Sequence, residues 1–366
     1  MRRFPAILIT AAIMLSLAVI PACAQGLSGV QLHGFMLNRM YFGEGDGAKF
    51  ANERVSLNAS SKVGDDGTAY VEVYFHQWMP DLVVGGGTKT AAEQYRTYLE
   101  SAYVDLPLGA GRIRIGKGRG LNFGITPGYG NRKTTQYGIL AETFTQDRLQ
   151  GFQYYVKKNN MDFGVSLYTD FRIGNRKIGA YPGGPGANVV PHFVDKDDPA
   201  NISDELGVSA KIGFSKPNFS AHISGARGQF RQDDANWIAN QCGFLGTSDR
   251  DHNKYGVDFK YKPGDFMLQG EAYEGNLSFV KVKGYSLLVG YEPAGKNRAY
   301  LRYAAVSNDR APLIGLPYTY DLKQLTFGYV VPIRKGVWAE IEYEKNWESF
   351  DQVDNDLFFV EFFTGF

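Results

Sequence analysis

The 366-residue chain has two cysteines, five histidines and four tryptophans, and its charges nearly cancel, with 39 Lys+Arg against 38 Asp+Glu. Each scarcity narrows what the protein can be. Cys23 falls in a segment expected to be removed, so Cys242 is left with no intramolecular disulfide partner even in an oxidising compartment. Balanced charge provides no polyanion-binding surface, and no nucleic-acid partner is expected. The longest apolar run, Ala6 to Ile20, is short of the roughly twenty residues a membrane-spanning helix needs. No linker, compositional shift or long amphipathic helix follows it, which argues against two soluble domains.

What the chain does have is glycine and aromatic side chains: 44 Gly, 23 Tyr and 25 Phe. With a mean hydropathy of -0.28, this composition suits strands whose apolar residues occupy alternate positions. At the front, Arg2 and Arg3 precede the apolar run, and Pro21 precedes the small-residue site Ala22-Cys23-Ala24. That order is read as a secretory signal peptide over residues 1–24, cleaved before Gln25, leaving 25–366 as one domain. A lipidated Cys23 is the rival reading, and Pro21 fits its recognition box badly.

Alternation of period two runs through the remainder. Phe163, Val165 and Leu167 alternate with Asp162, Ser166 and Asp170; Tyr255, Val257, Phe259 and Tyr261 oppose Lys254, Asp258 and Lys260; Val337, Ala339, Ile341 and Tyr343 oppose Trp338, Glu340, Glu342 and Glu344. Tight turns are expected at 64–67, 107–111, 158–160, 216–218, 263–265, 293–296 and 332–335, each rich in Gly, Pro, Asn or Asp. Longer polar segments lie at 80–95, 121–147, 172–203, 231–252 and 308–320. Strands are therefore expected near 29–42, 52–62, 68–79, 96–106, 111–120, 148–157, 161–171, 204–214, 218–230, 253–262, 265–275, 282–292, 297–307, 320–331, 336–347 and 356–366. Gln136 to Thr145, a further strand-like stretch, is assigned to a loop because an odd strand would leave the two termini on opposite sides of the membrane. The expected fold is all-β: a transmembrane antiparallel barrel of sixteen strands, wide enough to hold water, with a long third loop over 120–147.

The segment Asp356 to Phe366 resembles the closing strand of a bacterial outer-membrane barrel, a family in which the carboxy-terminal aromatic is read by the assembly machinery. Glu361 marks the expected inward phase, with Leu357, Phe359 and Phe363; Phe358, Val360, Phe362, Thr364 and Phe366 form the other.

Three stretches, residues 50–57 (FANERVSL), 98–105 (YLESAYVD) and 114–124 (RIGKGRGLNFG), resemble the phosphate-selective porin O and P family of sixteen-stranded bacterial porins. The resemblance implies a homotrimeric outer-membrane channel in contact with lipid and lipopolysaccharide, with no cofactor, whose long third loop, Gly120 to Asp147 in this chain, folds into the lumen and narrows the passage. Phosphate selectivity in that family rests on an arginine ladder and a lysine cluster, which have no position-by-position match in this chain.

Permeation is expected to be set by inward charges at mid-strand and by the third loop: Arg54, Arg112, Arg114, Arg298, Arg302, Glu72 and Glu271 on the wall, with Arg132 and Lys133 on the loop. His76, Glu340 and Glu342 share the polar phase, and Glu142 and Asp147 are the loop's acids. Like-charged groups along a low-dielectric passage attract counter-ions, and the basic set points to a mild preference for anions among small hydrophilic solutes. Two other readings remain. Tyr70, Tyr74, Tyr273 and Trp338 lie on polar phases and would serve an oligosaccharide or polysaccharide conduit; a closed barrel would act as adhesin or anchor. No spacing singles out a catalytic nucleophile, so no enzyme is expected. Asp195, Asp197, Asp198, Asp204 and Glu205 could hold calcium, but Pro199 and Ala200 interrupt a loop of that kind, and no metal is expected.

Overall fold

A strand with one apolar and one polar face must put the apolar face against something other than water, and its edge amides need partners on both sides. In a computed structural model, which describes residues 29–43, 47–77, 95–126, 128–135, 137–145, 148–171, 202–241, 244–309, 322–348 and 356–366, the chain meets both demands by closing on itself. Sixteen strands form one barrel in which every neighbour in sequence is a neighbour in space and β1 pairs with β16. They are β1 (Gln31–Gly43), β2 (Gly47–Val63), β3 (Gly67–Gln77), β4 (Tyr95–Leu108), β5 (Gly111–Arg119), β6 (Arg148–Lys158), β7 (Met161–Phe171), β8 (Ile202–Lys216), β9 (Phe219–Gln229), β10 (Asp251–Tyr261), β11 (Phe266–Leu277), β12 (Val280–Tyr291), β13 (Arg298–Asn308), β14 (Leu322–Arg334), β15 (Val337–Glu348) and β16 (Leu357–Gly365). Three short helices, α1 (Tyr129–Arg132), α2 (Ile139–Phe144) and α3 (Gln232–Gln241), lie in the connections from β5 to β6 and from β9 to β10.

The two faces differ as a membrane barrel requires. Phe163, Val165, Leu167, Tyr255, Val257, Ile341, Phe358 and Phe362 are exposed on the outer face, while Glu340, Glu342, Glu344 and Glu361 are buried on the inner one. Apolar-out and polar-in is the reverse of a soluble sandwich, in which the apolar phase would be the buried one. No helix among the described residues is long and apolar enough to cross a membrane, so the strands do the crossing.

One rim carries the short reversals. Asn159 and Asn160 both take positive φ, 53° and 66°, as a two-residue hairpin turn requires, and Gly64, Gly264 and Gly336 occupy the left-handed region in others. Differences from the sequence reading are local. β2 begins at Gly47 rather than 52 because it pairs with β1 up to Gly43. β14 continues past Pro332, which sits at a register shift, the kind of irregularity to which proline is confined within a sheet. The opposite rim does not carry only long connections, since β11 and β12 are joined by Ser278 and Phe279 alone. Residues 1–28 lie outside the described residues, as do the segment around Asp195, Cys242 and Asp147.

Candidate functional site: the lumen and the third loop

The third connection, residues 120–147, binds inward side chains from most of the barrel. At its start the Leu121 amide donates to Gln153 Oε1 at 2.9 Å, and the Asn122 side-chain amide donates to the carbonyls of Tyr154 and Val165. Gly124 is held from both sides, its N–H donating to Ser224 Oγ and its carbonyl accepting from Lys211 Nζ at 2.7 Å. Arg132, at the end of α1, pairs with Glu271 of β11 and donates to the Ile125 carbonyl and Thr145 Oγ1, both at 2.6 Å. Lys133 reaches Glu292 at 2.8 Å. Arg302 donates to Thr134 Oγ1, the Thr135 amide donates to Glu342 at 2.8 Å, and Thr135 Oγ1 donates to Glu361.

Apolar packing completes the attachment. Phe123, Ile139, Leu140 and Phe144 of the loop join a buried cluster with Leu149, Tyr168, Phe230, Tyr273, Val282 and Val306. The inward phase of β11 to β13 is therefore not uniformly polar; it turns apolar where α2 rests on it. Two glycines permit the close approach. Gly138 has φ 83°, and a Cβ there would lie 2.6 Å from Arg302 Nε; Gly128 has φ 138°, and a Cβ there would lie 2.6 Å from Arg119 Nη1.

Across from this packed side is a cavity of about 400 Å³. Its wall comes from β1 to β6, β15 and β16, and its other side from Gly128, Gly130, Thr135, Tyr137 and Glu142 of the loop. The charged groups lining it are Arg54, Arg119 and Arg148 against Glu53, Glu72, Glu142 and Glu361. They are already engaged. Arg148 holds Glu100 at 2.9 Å, Arg119 bonds the same Glu100 at 3.1 Å and Tyr74 at 2.7 Å, and Ser56 Oγ donates to Glu72 at 2.8 Å. Behind them Arg39 bridges Glu53 at 2.6 Å and Glu361 at 2.7 Å.

Of the nine residues singled out from sequence, Arg54 and Glu72 line this cavity. Arg112 and Arg114 stand near the short-turn rim and share Asp105, at 2.5 Å and 3.4 Å. Arg132, Lys133, Glu271 and Arg302 join the loop to the wall, as described above, and Arg302 also has Glu344 at 3.8 Å. Arg298 lies over Trp338. The side chain of His76 is outside the described residues. Of the four lumen aromatics, Tyr74 and Trp338 line the cavity, whereas Tyr70 stacks on Tyr103 and Tyr273 is covered by Phe123 and Phe144. Sequence reasoning misses Tyr98 because alternation reports a face and not a height along the axis, and it misses Glu53, Arg119 and Arg148 because they alternate out of phase with the inward Arg54, Arg114 and Gln153, Glu53 standing unpaired at a register shift of β2.

A serine, a histidine and an aspartate also meet in the barrel. His222 Nδ1 is 2.8 Å from Asp258, and Ser215 Oγ is 3.5 Å from His222 Nε2. A nucleophile would need that nitrogen as its base, yet Asp162 occupies it at 3.0 Å and also accepts from Ser215. The group reads as a polar bridge across β7 to β10.

One group at the short-turn rim titrates in an accessible range. Glu292, just beyond β12, is partly desolvated, but Lys133, Lys262 and Tyr300 hydrogen-bond to it and hold its carboxyl down from 4.5 to about 2. A depressed carboxylate stabilises the fold above the unfolded value and loses that contribution as pH falls through the folded one. The tether of Lys133 is thus expected to persist at pH 5 and to weaken between 4.5 and about 2, which conductance recorded across that window would detect as a rise in current fluctuation.

A closed barrel with an apolar exterior and a charged interior defines the outer-membrane channels of bacteria. The family model for phosphate-selective porin O and P matches residues 29–314, and the chain belongs to that family. Solved structures agree on the fold. Salmonella typhi OmpF, in complex with daunomycin, aligns at TM-score 0.61 and 14% identity, over 92% of this chain and 97% of that one. The trimer form of Vibrio cholerae OmpT aligns at TM-score 0.56 and 14% identity, over 92% and 99%. An anion-selective porin from Comamonas acidovorans aligns at TM-score 0.55 and 14% identity, also over 92% and 99%. Comparison with curated proteins finds no match. The protein is an outer-membrane β-barrel channel.

Proposed function

We propose that the chain is a porin through which small hydrophilic solutes diffuse passively, and that the third loop is folded into the lumen and narrows the route. The observation that carries this reading is the set of bonds from Arg132, Lys133, Thr134 and Thr135 to inward residues on β11, β13, β15 and β16 and at the β12–β13 turn, with a 400 Å³ cavity left on the other side. No energy source or covalent step is required. The leader is taken to be removed, the outer face to contact lipid and lipopolysaccharide, and three copies to assemble, as Vibrio cholerae OmpT does in its trimer form. Native mass measurement in detergent tests the trimer.

Anion preference is the finer part of the reading. Arg54, Arg119 and Arg148 favour anions in the cavity, but each stands close to a carboxylate, and the acids lining it number four against three arginines. The bias is therefore expected to be small and to come largely from Arg112 and Arg114 at the rim. Arg112 is about a third exposed, and the two arginines together outweigh the single Asp105. Replacing both with glutamine is expected to shift the reversal potential in a potassium chloride gradient toward cation preference, with conductance little changed. An unaltered potential would remove these arginines from the selectivity account.

A further inference from the structure

On the outer wall, below the rim that carries the long connections, a groove of about 440 Å³ runs between β10 and β14. Its sides are the outward residues Val257, Phe259, Tyr285, Leu287, Leu301 and Leu325. The floor is β11, where Gly270 and Ala272 hold the outward phase; Phe259 leans over Gly270, and a Cβ there would collide with its ring. Tyr285 and Tyr303 stand toward the upper end, their ring centroids 6.1 Å apart.

Cations stand directly above this groove. On β12 the outward series runs Lys281, Lys283, Tyr285, Leu287 and Val289, and on β14 it runs Lys323, Leu325 and Phe327, so lysines head the apolar rows on both strands. All three lysines are exposed, and none of them forms an ion pair among the described residues. Other cations at the same rim are committed, Arg227 to Asp251 at 3.1 Å and Lys345 to Asp356 at 2.6 Å. Two carboxylates are close: Glu274 stands opposite Lys283 but is hydrogen-bonded by Tyr255 on its other side, and Asp309 accepts from the Lys281 amide at 2.9 Å. Three lysines against two acids leave the patch positive. Ser307, opposite Lys283 on β13, adds a hydroxyl, and Trp347, opposite Lys323, adds an exposed indole.

Exposed lysines at a membrane rim are ordinary, and mobile hydrocarbon covers the flat parts of an apolar outer face. A groove headed by unpaired cations is different, because it matches one lipid with an anionic headgroup and a chain directly beneath it. From Lys283 to Val289 the wall runs about 20 Å along the strand, the length of a fatty acyl chain. Long connections mark the outward side of the membrane, where the lipid is lipopolysaccharide, with several phosphates on one headgroup. A phospholipid that carries its own ammonium already neutralises its phosphate and gains little from free lysines. We propose that this wall is a docking site for one lipopolysaccharide molecule, its phosphates on Lys281, Lys283 and Lys323 and an acyl chain seated over Gly270 and Ala272. The proposal rests on the outer-membrane channel reading, and it specifies where on the outer face that lipid is held.

The probe is rough lipopolysaccharide, titrated into the purified, folded full-length protein in detergent and counted by native mass spectrometry. The unaltered protein is expected to retain one molecule per chain, and to bind the same lipid stripped of its phosphates, or phosphatidylglycerol, about tenfold more weakly or worse. Lys283→Gln combined with Lys323→Gln is expected to lower the affinity about twentyfold. Ala272→Trp, which fills the groove and leaves the lysines in place, should also weaken binding severalfold. These positions are on the outer face, so single-channel conductance should not change. Equal binding of either control lipid, or equal retention by the double lysine variant, would overturn the site, and Ala272→Trp binding as tightly as the parent would take the acyl chain out of the groove. The comparison of lipids on the unaltered protein decides the matter even if a variant does not fold. Current steps without selective lipopolysaccharide binding would sink the site alone; selective binding by a barrel that carries no current would support the site and contradict free diffusion.

Discussion

Replacing Arg39 with leucine is expected to lower the stability of the barrel by roughly 3–5 kcal/mol, the cost of removing one partner from a buried ion cluster. Arg39 stands where the barrel closes: on β1 it faces Glu361 of β16 across the seam and bridges to Glu53 of β2, with its side chain fully buried. Its guanidinium also donates to the Tyr41 hydroxyl and lies 4.1 Å from the Phe359 ring centroid. Without the cation, two neighbouring carboxylates would share a desolvated site with only Arg54, 3.9 Å from Glu53, as counter-charge, and the first and last strands would lose their ion pair across the seam. The heat needed to convert the compact folded band to the unfolded one in detergent electrophoresis should fall sharply. Adding Glu53→Gln and Glu361→Gln to the variant should recover most of the loss, since the damage comes from stranded charge rather than missing contacts. An Arg39→Leu barrel as heat-resistant as the parent would show that the seam does not depend on this cluster.

Replacing Arg132 with alanine is expected to raise channel conductance and its fluctuation, and to destabilise the fold by roughly 3 kcal/mol, through a different route. Arg132 binds the loop to itself, through the Ile125 carbonyl and Thr145, and to the wall, through Glu271. Loss of the side chain frees the middle of the loop and leaves Glu271 buried beside Tyr273 with its cation gone. Single-channel recording separates the two effects. A loop that narrows the passage must widen it when released, so larger current steps are expected; a destabilised barrel with an unchanged loop would give fewer channels of unaltered size. Arg114→Ala serves as the reference, because Arg114 touches Asp105 at the rim and no loop residue.

How far the sequence reaches is visible in these two arginines. The strands are legible almost residue by residue, since alternation fixes a face and Gly, Asn and Pro mark reversals; the pattern places β7 at 161–171, and the strand is Met161–Phe171. The inward phase of the last strand is legible from Glu361 alone. Gln136 to Thr145, which parity keeps out of the sheet, contains α2. The interior pairing is not legible. Arg39 does not stand out because its partners are 14 and 322 positions away, and nothing local distinguishes a buried charge in a cluster from a solvated lumen charge. Arg132 and Arg302 read as selectivity charges in the sequence; the structure adds their bonds to Glu271 and Thr134, pairings across the barrel that periodicity does not encode. The aromatic lining of the cavity is half visible: Trp338 and Tyr74 show on their polar phases, but Phe35 and Phe363 become neighbours only when β1 meets β16.

Planar-bilayer recording of the purified protein tests the central claim most directly. A water-filled channel narrowed by its third loop predicts discrete, ohmic current steps in potassium chloride, with step size increased by Arg132→Ala. A folded barrel that inserts yet passes no current would contradict it.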